Sequence, residues 1–200
     1  ASCLVGSEMC IRDRFESTRI LLMSRDPSNR EGIGMHSDAL GRFVMDHAVA
    51  SCAGYVDARK DDDAASATVE HGRCIYVPAM AQAEDPETGG LLESAFGMQL
   101  HRQPIGDDRA RIDIVGFAPM LPRAENRVRL SSRKDRFGVP ILTIDCRYGD
   151  ADRAIARCML ESVAEAAKVL GIDVEYLSKE IAPPGTGIHE CGTALSLIHI

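Results

Sequence analysis

The chain has 200 residues, 26% of them charged, and its formal net charge at neutral pH is −7. This acidic balance, without any Lys/Arg-rich stretch, gives no electrostatic footprint for nucleic acid. No apolar run approaches the roughly 18 residues that a transmembrane helix needs, so no membrane segment is predicted. A chain of this size can bury one substantial hydrophobic core.

Both termini resemble translated sequencing-library adapter rather than protein sequence. The segments concerned are residues 1–14 and 195–200. We therefore expect residues 15–194 to be the native part and to form an internal fragment of a longer protein. A signal peptide would lie upstream of such a fragment, so the cellular location stays open.

The first predicted elements are a helix and a strand. Residues 15–24 contain the apolar run 20–23 among good helix formers. Pro27 ends that helix, because proline and the residue before it disfavour continuation. The small, apolar residues 48–56 predict a strand, and the polar residues 57–67 after it predict an exposed loop.

Five further short runs have the composition of strands. The alternation of polar and apolar residues that is typical of a half-buried strand is clearest in residues 111–114. The predicted strands are residues 73–77, 97–101, 111–120, 126–130 and 140–146, with loops at 84–90 and 103–109. Because no helix lies between these strands, the sheet is predicted to be antiparallel.

One amphipathic helix is predicted over residues 150–170. Asp150 and Asp152 supply acidic charge at its N-terminus, and Gly171 is placed as a C-terminal stop. The stripe predicted to face the core consists of Ile155, Met159, Val163, Ala167 and Leu170. Strands followed by a covering helix predict an α+β fold, mostly antiparallel sheet covered by helices.

The cysteines are scattered. Of the seven in the chain, Cys3 and Cys10 lie in the adapter-like N-terminus. The others are Cys52, Cys74, Cys146, Cys158 and Cys191. No pair has CxxC spacing, so we expect reduced core thiols rather than disulfides or zinc ligands. This pattern slightly favours a cytoplasmic location.

Several common catalytic motifs are absent from the sequence. No GxGxxG lies between a predicted strand and helix, so no dinucleotide-binding unit is visible. Ser24, Ser37 and the other serines lack a GxSxG setting. His189 and Glu190 begin like a zinc-binding HExxH motif, but Thr193 stands where the second histidine is required. We therefore predict no metal site.

Most histidines show no catalytic arrangement. Asp46 and His47 could pair an acid with an imidazole, but adjacent residues of an extended chain point to opposite faces. His36, His71 and His101 show no mutual spacing. We expect all of these histidines to be structural or to lie on the surface.

His189 is the stronger candidate. It lies between the Pro-Pro-Gly-Thr-Gly run 183–187 and a turn at residues 192–193. An imidazole changes charge near neutral pH, so it can accept a proton from a hydroxyl and hold it. The neighbouring glycines would let the backbone approach a flat ligand such as a flavin ring. By itself, however, the residue fits an ordinary loop histidine better than a catalytic base.

Five motifs in a fixed order are more informative than any one of them. They are residues 15–22, 41–47, 120–128, 137–148 (as 137–140 and 145–148) and 187–194. This order resembles the glucose–methanol–choline (GMC) oxidoreductases. The matching family segments are the helix entering the second signature region, the Met-or-Gln-Asp-His segment, the Pro-x-x-x-Asn-Arg-Val strand, the segment after it, and the His-Glu-x-Gly-Thr-Ala loop.

The resemblance implies an FAD-dependent oxidation of the CH–OH group of a small alcohol or sugar. In it, His189 matches the residue that removes the hydroxyl proton, and the flavin takes the hydride. The implied domains are an FAD-domain remnant with linker (15–47), a substrate-binding domain (48–180) and the start of the catalytic-histidine segment returning to the FAD domain (181–194). The substrate-domain sheet would roof the flavin. The substrate and the electron acceptor stay open.

The chain departs from the family at both ends. The glycine-rich FAD-binding unit should precede residue 15, and Leu195-Ser196-Leu197 replaces the usual Arg-Met-Gly. A second active-site His or Asn should follow further downstream. The residues that bind FAD are therefore unknown, and we expect the fragment to be inactive. The alternative is a non-catalytic α+β binding module in which His189 only stabilises a loop.

Overall fold

The computed structural model of the chain describes residues 14–25, 27, 30, 37–57, 73–86, 88–106 and 108–194. Residues 1–13 and 195–200 of the adapter-like ends, most of the predicted loop 57–67, His36 and His71 lie outside the described residues. Arg14, the last residue assigned to the adapter-like N-terminus, is described and begins the first helix. The chain forms two compact units. The first unit comprises Ala1–Asp46, Leu121–Arg147 and Ile188–Ile200, and the second comprises His47–Met120 and Tyr148–Gly187.

Most of the described strands follow one another along the chain with no helix between them. In chain order they are α1 (Arg14–Met23), β1 (His47–Asp57), β2 (Arg73–Glu84), β3 (Leu91–Ile105), β4 (Arg109–Pro119), β5 (Arg127–Lys134), β6 (Pro140–Asp145), α2 (Asp150–Val169) and β7 (Asp173–Leu177). All strand pairs are antiparallel. The predicted α+β fold with a mostly antiparallel sheet is therefore confirmed.

The second unit is a five-stranded sheet with the strand order β2-β3-β4-β1-β7. The alternate residues of β1 and β4 that face α2 are buried, with Ile114 completely inaccessible. Gly116 lies on this face, where an added Cβ would come within 2.9 Å of Met159 Cγ on the helix. The missing side chain therefore lets the helix pack close to the sheet.

The helix α2 follows its predicted pattern with one exception. Ile155, Met159, Val163 and Ala167 are buried, whereas Leu170 is 45% exposed. Leu170 is the C-cap residue, and Gly171 has a φ of +62°. The helix ends here, the next apolar residue, Ile172, is buried, and the chain joins the sheet as β7 from Asp173, so the last apolar position of the stripe stays outside the core.

Three strand predictions, 73–77, 97–101 and 126–130, were too short, and one strand was missed. β3 continues to Ile105, through part of the predicted loop 103–109, because its backbone ladder with β4 extends to the Ile105–Arg109 pair. Every residue of β7 is exposed. Its sequence, Asp-Val-Glu-Tyr-Leu, nevertheless alternates polar and apolar residues, a signal that could have identified the strand.

The first unit combines α1 and the two-stranded β5–β6 sheet with the segments 37–46 and 188–194. The core side chains Val44 and Val128 are each 1% exposed. The Asn126 side chain donates to the Arg147 carbonyl at 3.1 Å and accepts from the Arg147 N–H at 3.0 Å. This pair of bonds joins the two ends of the β5–β6 segment.

The described cysteines form no disulfide. Cys52 is buried in β1, but Cys74 and Cys191 are exposed, so the prediction of core thiols was wrong for these two. An exposed edge strand and a surface loop carry them, respectively. Within the described ranges, no helix combines the length and the apolar character needed to cross a membrane.

We expect alkylation to distinguish these thiols. Burial, together with the negative charge of Asp113, raises the pKa of the Cys52 thiol. Cys52 therefore has less of the reactive thiolate at pH 8 and is also inaccessible. Iodoacetamide labelling at that pH, followed by peptide mass mapping, should modify Cys74 and Cys191 well before Cys52. Equal labelling of Cys52 in the folded chain would contradict the described packing.

Candidate active-site loop

The side chain of His189 is exposed, but its backbone is held. The His189 N–H donates a hydrogen bond of 3.1 Å to Asp46 Oδ1. Asp46 is only 4% exposed, and both residues belong to the first unit. The loop therefore presents an imidazole to solvent from a backbone that is tied to a buried carboxylate.

The rest of the loop pairs with residues 41–45 through backbone hydrogen bonds. The Met45 N–H donates to the Cys191 carbonyl at 3.1 Å, and the Cys191 N–H donates back at 2.9 Å. The Thr193 N–H donates to the Arg42 carbonyl at 2.8 Å, and its own carbonyl accepts from the Gly41 N–H at 2.6 Å. These hydrogen bonds fix the loop at two positions that follow His189, namely Cys191 and Thr193.

The helix α1 supports the end of the loop. Thr193 is completely buried, and its hydroxyl oxygen is hydrogen-bonded to that of Thr18 at 2.7 Å. Arg14 Nη1 donates to the Gly192 carbonyl at 3.1 Å. A buried hydroxyl without a partner is costly, so the Thr18–Thr193 pair specifies how the loop sits on the helix.

Several residues of this region have a left-handed backbone conformation. The non-glycine residues Phe43, Ile188 and Thr193 have φ values of +61°, +50° and +56°. For residues with a Cβ this conformation costs roughly 1–2 kcal/mol each, so the surrounding bonds must hold it. Ile188 is 76% exposed, and burial of its side chain therefore does not offset this cost.

Gly192 has a reason for being glycine that the sequence did not reveal. Its φ is +87°, and a Cβ there would overlap the carbonyl oxygen of Phe43. The close approach expected for a flat ligand is, at this position, an approach to the protein's own backbone. Gly192 thus serves the packing of the loop.

The other candidate residues have structural partners. The His47 ring packs edge-on against Phe117 with a centroid distance of 5.9 Å. His101 Nε2 lies 3.3 Å from Gln99 Oε1 and 3.8 Å from Cys74 Sγ. Sequence reasoning missed the role of Asp46, although the matched Met-Asp-His segment contains it. No pattern within that segment indicated a bond to a residue so distant in sequence.

No cluster of three or more His, Cys, Asp or Glu side chains that could hold a metal ion occurs in the described part of the chain. The described strands also include no parallel strand–turn–helix unit of the kind that binds a dinucleotide phosphate. We assign no described residue to holding FAD itself.

The face of the second-unit sheet opposite α2 carries polar and aromatic side chains. Arg111 lies on it and is hydrogen-bonded to Asp113 at 3.1 Å, to Glu175 Oε2 at 3.0 Å and to Tyr55 Oη at 3.4 Å. The charge of Asp113 and the bond from Glu175 raise the pKa of Arg111. This face therefore offers fixed donors, acceptors and a ring.

Comparison with known proteins finds that the chain is similar to two oxidases. No family model matches the chain. It is 30% identical over 135 residues to paromamine 6'-oxidase of Streptomyces fradiae and 30% identical over 137 residues to 6'''-hydroxyparomomycin C oxidase of Streptomyces lividus. Each match covers 66% of this chain but only 25% and 24% of the relatives. The chain is thus similar to about a quarter of the length of two oxidases.

Proposed function

We propose that the chain is part of an FAD-dependent oxidoreductase of the GMC type that oxidises a CH–OH group, with His189 as the base. The observation that carries this proposal is an exposed imidazole on a loop fixed by Asp46 and Thr193. The motif order and the similarity to two oxidases support it. A histidine that only stabilised its loop would not need an exposed side chain.

The reaction removes a proton and a hydride from the CH–OH group, and each goes to a different acceptor. His189 takes the hydroxyl proton as the carbon–oxygen double bond forms. Bound FAD would supply the acceptor for the hydride that leaves the same carbon. Such base assistance typically contributes about 10²–10⁴-fold to the rate. The fixed backbone at His189 restricts the region that the imidazole can reach, which lowers the entropic cost of proton transfer.

We propose a small polyhydroxylated substrate, a sugar or cyclitol. The names of the two relatives point to this class, since they are oxidases of paromamine and of 6'''-hydroxyparomomycin C. The electron acceptor is not specified by these features.

The test compares the whole protein, expressed from the complete gene, with the 200-residue chain expressed separately. We expect the whole protein to carry stoichiometric FAD and its flavin to be bleached by a sugar or cyclitol in anaerobic stopped-flow experiments. We expect the 200-residue chain to bind no flavin and to be inactive. Stoichiometric flavin in that chain would overturn the second expectation.

The alternative of a binding module has its own outcome in this experiment. It would be supported by a complete gene that encodes little beyond residues 15–194 and a product without flavin. The enzyme hypothesis instead requires a glycine-rich strand–turn–helix unit upstream and a further His or Asn downstream.

A further inference from the structure

We propose that Asp46 is a positioning residue for His189, acting through the backbone rather than through the imidazole. The buried carboxylate accepts a hydrogen bond from the His189 N–H and so fixes the direction in which the His189 side chain leaves the backbone. The catalytic consequence rests on the proposed function, whereas the backbone effect can be measured without it.

Hydrogen bonds at Asp46 and at the residue before it hold the loop at two places. Met45, the residue before it, is paired through both backbone groups with Cys191, and Asp46 itself reaches His189. Met45 and Asp46 are neighbours in one segment, and they hold Cys191 and His189, which lie two residues apart in the other. This arrangement fixes both the location and the rotation of the peptide at His189.

The conformation of Ile188 shows why these hydrogen bonds are needed. Its φ of +50° is unfavourable for a β-branched residue, and its side chain is 76% exposed. Neither propensity nor burial holds this conformation, so bonds on either side must hold it. Loss of the acceptor at Asp46 would allow the Ile188–His189 peptide to rotate, and the imidazole would move with it.

Burial also makes the bond to Asp46 strong. A carboxylate that is 4% exposed is poorly hydrated, so it depends on donors supplied by the protein. A hydrogen bond to a charged acceptor is stronger than one between neutral groups. Asparagine has nearly the same shape and keeps the Oδ1 acceptor, which makes it the conservative replacement.

The first experiment measures amide hydrogen exchange by NMR in the 200-residue chain. In Asp46→Ala we expect the His189 amide to exchange about tenfold faster or more, while Asp46→Asn keeps most of the protection. Asp152→Ala is the matched control, because Asp152 is also buried and accepts a backbone N–H, from Gly149 at 2.8 Å in the second unit. Unchanged exchange at His189 in Asp46→Ala would overturn the proposal.

The second experiment uses the complete protein. We expect Asp46→Ala to lower kcat by about tenfold or more with little change in KM, because the base is displaced while substrate contacts remain. Asp46→Asn should restore most of the rate, and Asp152→Ala should lower only thermal stability. If Asp46→Ala does not fold, Asp46→Glu keeps the charge but shifts the oxygen, and the same fall in kcat is expected.

The outcomes separate the two proposals. If kcat in Asp46→Ala and Asp152→Ala fell only in proportion to stability, Asp46 would be merely structural and the positioning role would be wrong. If the His189 amide loses protection but the complete protein oxidises no alcohol, the proposed function fails and the backbone role stands.

Discussion

We expect His189→Gln in the complete protein to lower kcat by about 10²–10⁴-fold, because the glutamine amide cannot take the hydroxyl proton. Glutamine is polar and of similar length, and the bonds that brace the loop come from the backbone and from Thr193. The fold and the flavin content should therefore be retained. The measurement is the rate of anaerobic flavin reduction by substrate, together with the absorbance and circular dichroism of the variant.

A control separates this effect from a general one. Lys168→Gln removes a charge at an 80% exposed side chain on α2 and should leave the rate unchanged. If His189→Gln kept most of its activity but unfolded at a lower temperature, the imidazole would be a loop stabiliser, as the binding-module alternative requires.

Gly192→Ala is expected to unfold the first unit or to destabilise it by about 4 kcal/mol or more. The added Cβ would overlap the Phe43 carbonyl oxygen, and neither backbone can move without breaking the pairing of Thr193 with Arg42 and Gly41. The φ of +87° adds the ordinary cost of a left-handed residue. Denaturant unfolding of the 200-residue chain measures the effect.

Gly138→Ala isolates the part of that cost that comes from φ alone. Gly138 lies in the same unit with a φ of +78°, but a Cβ there meets nothing within 4 Å. We expect it to cost only about 1–2 kcal/mol. Equal destabilisation by the two substitutions would show that the loop relaxes around Gly192 and that the packing is looser than described.

Local patterns in the sequence determined much of the fold. The four buried residues of the stripe predicted for α2 and the end of this helix at Gly171 follow from helical periodicity and from the conformational freedom of glycine. The small, apolar residues of β1 and the alternation in β4 marked two central strands of the sheet correctly. β7 was missed although its five residues alternate between polar and apolar, a signal that could have identified it.

The sequence by itself also singled out His189, through the order of five motifs, and the catalytic role of that residue stays a prediction. Only the tertiary structure decided what holds it. Asp46 and His189 are 143 positions apart, and Thr18 and Thr193 are 175 apart. Hydrogen bonds over such separations leave no periodicity in the chain, because they depend on where the backbone returns. The overlap that requires glycine at position 192 arises in the same way, from a backbone segment that is distant in sequence and adjacent in space.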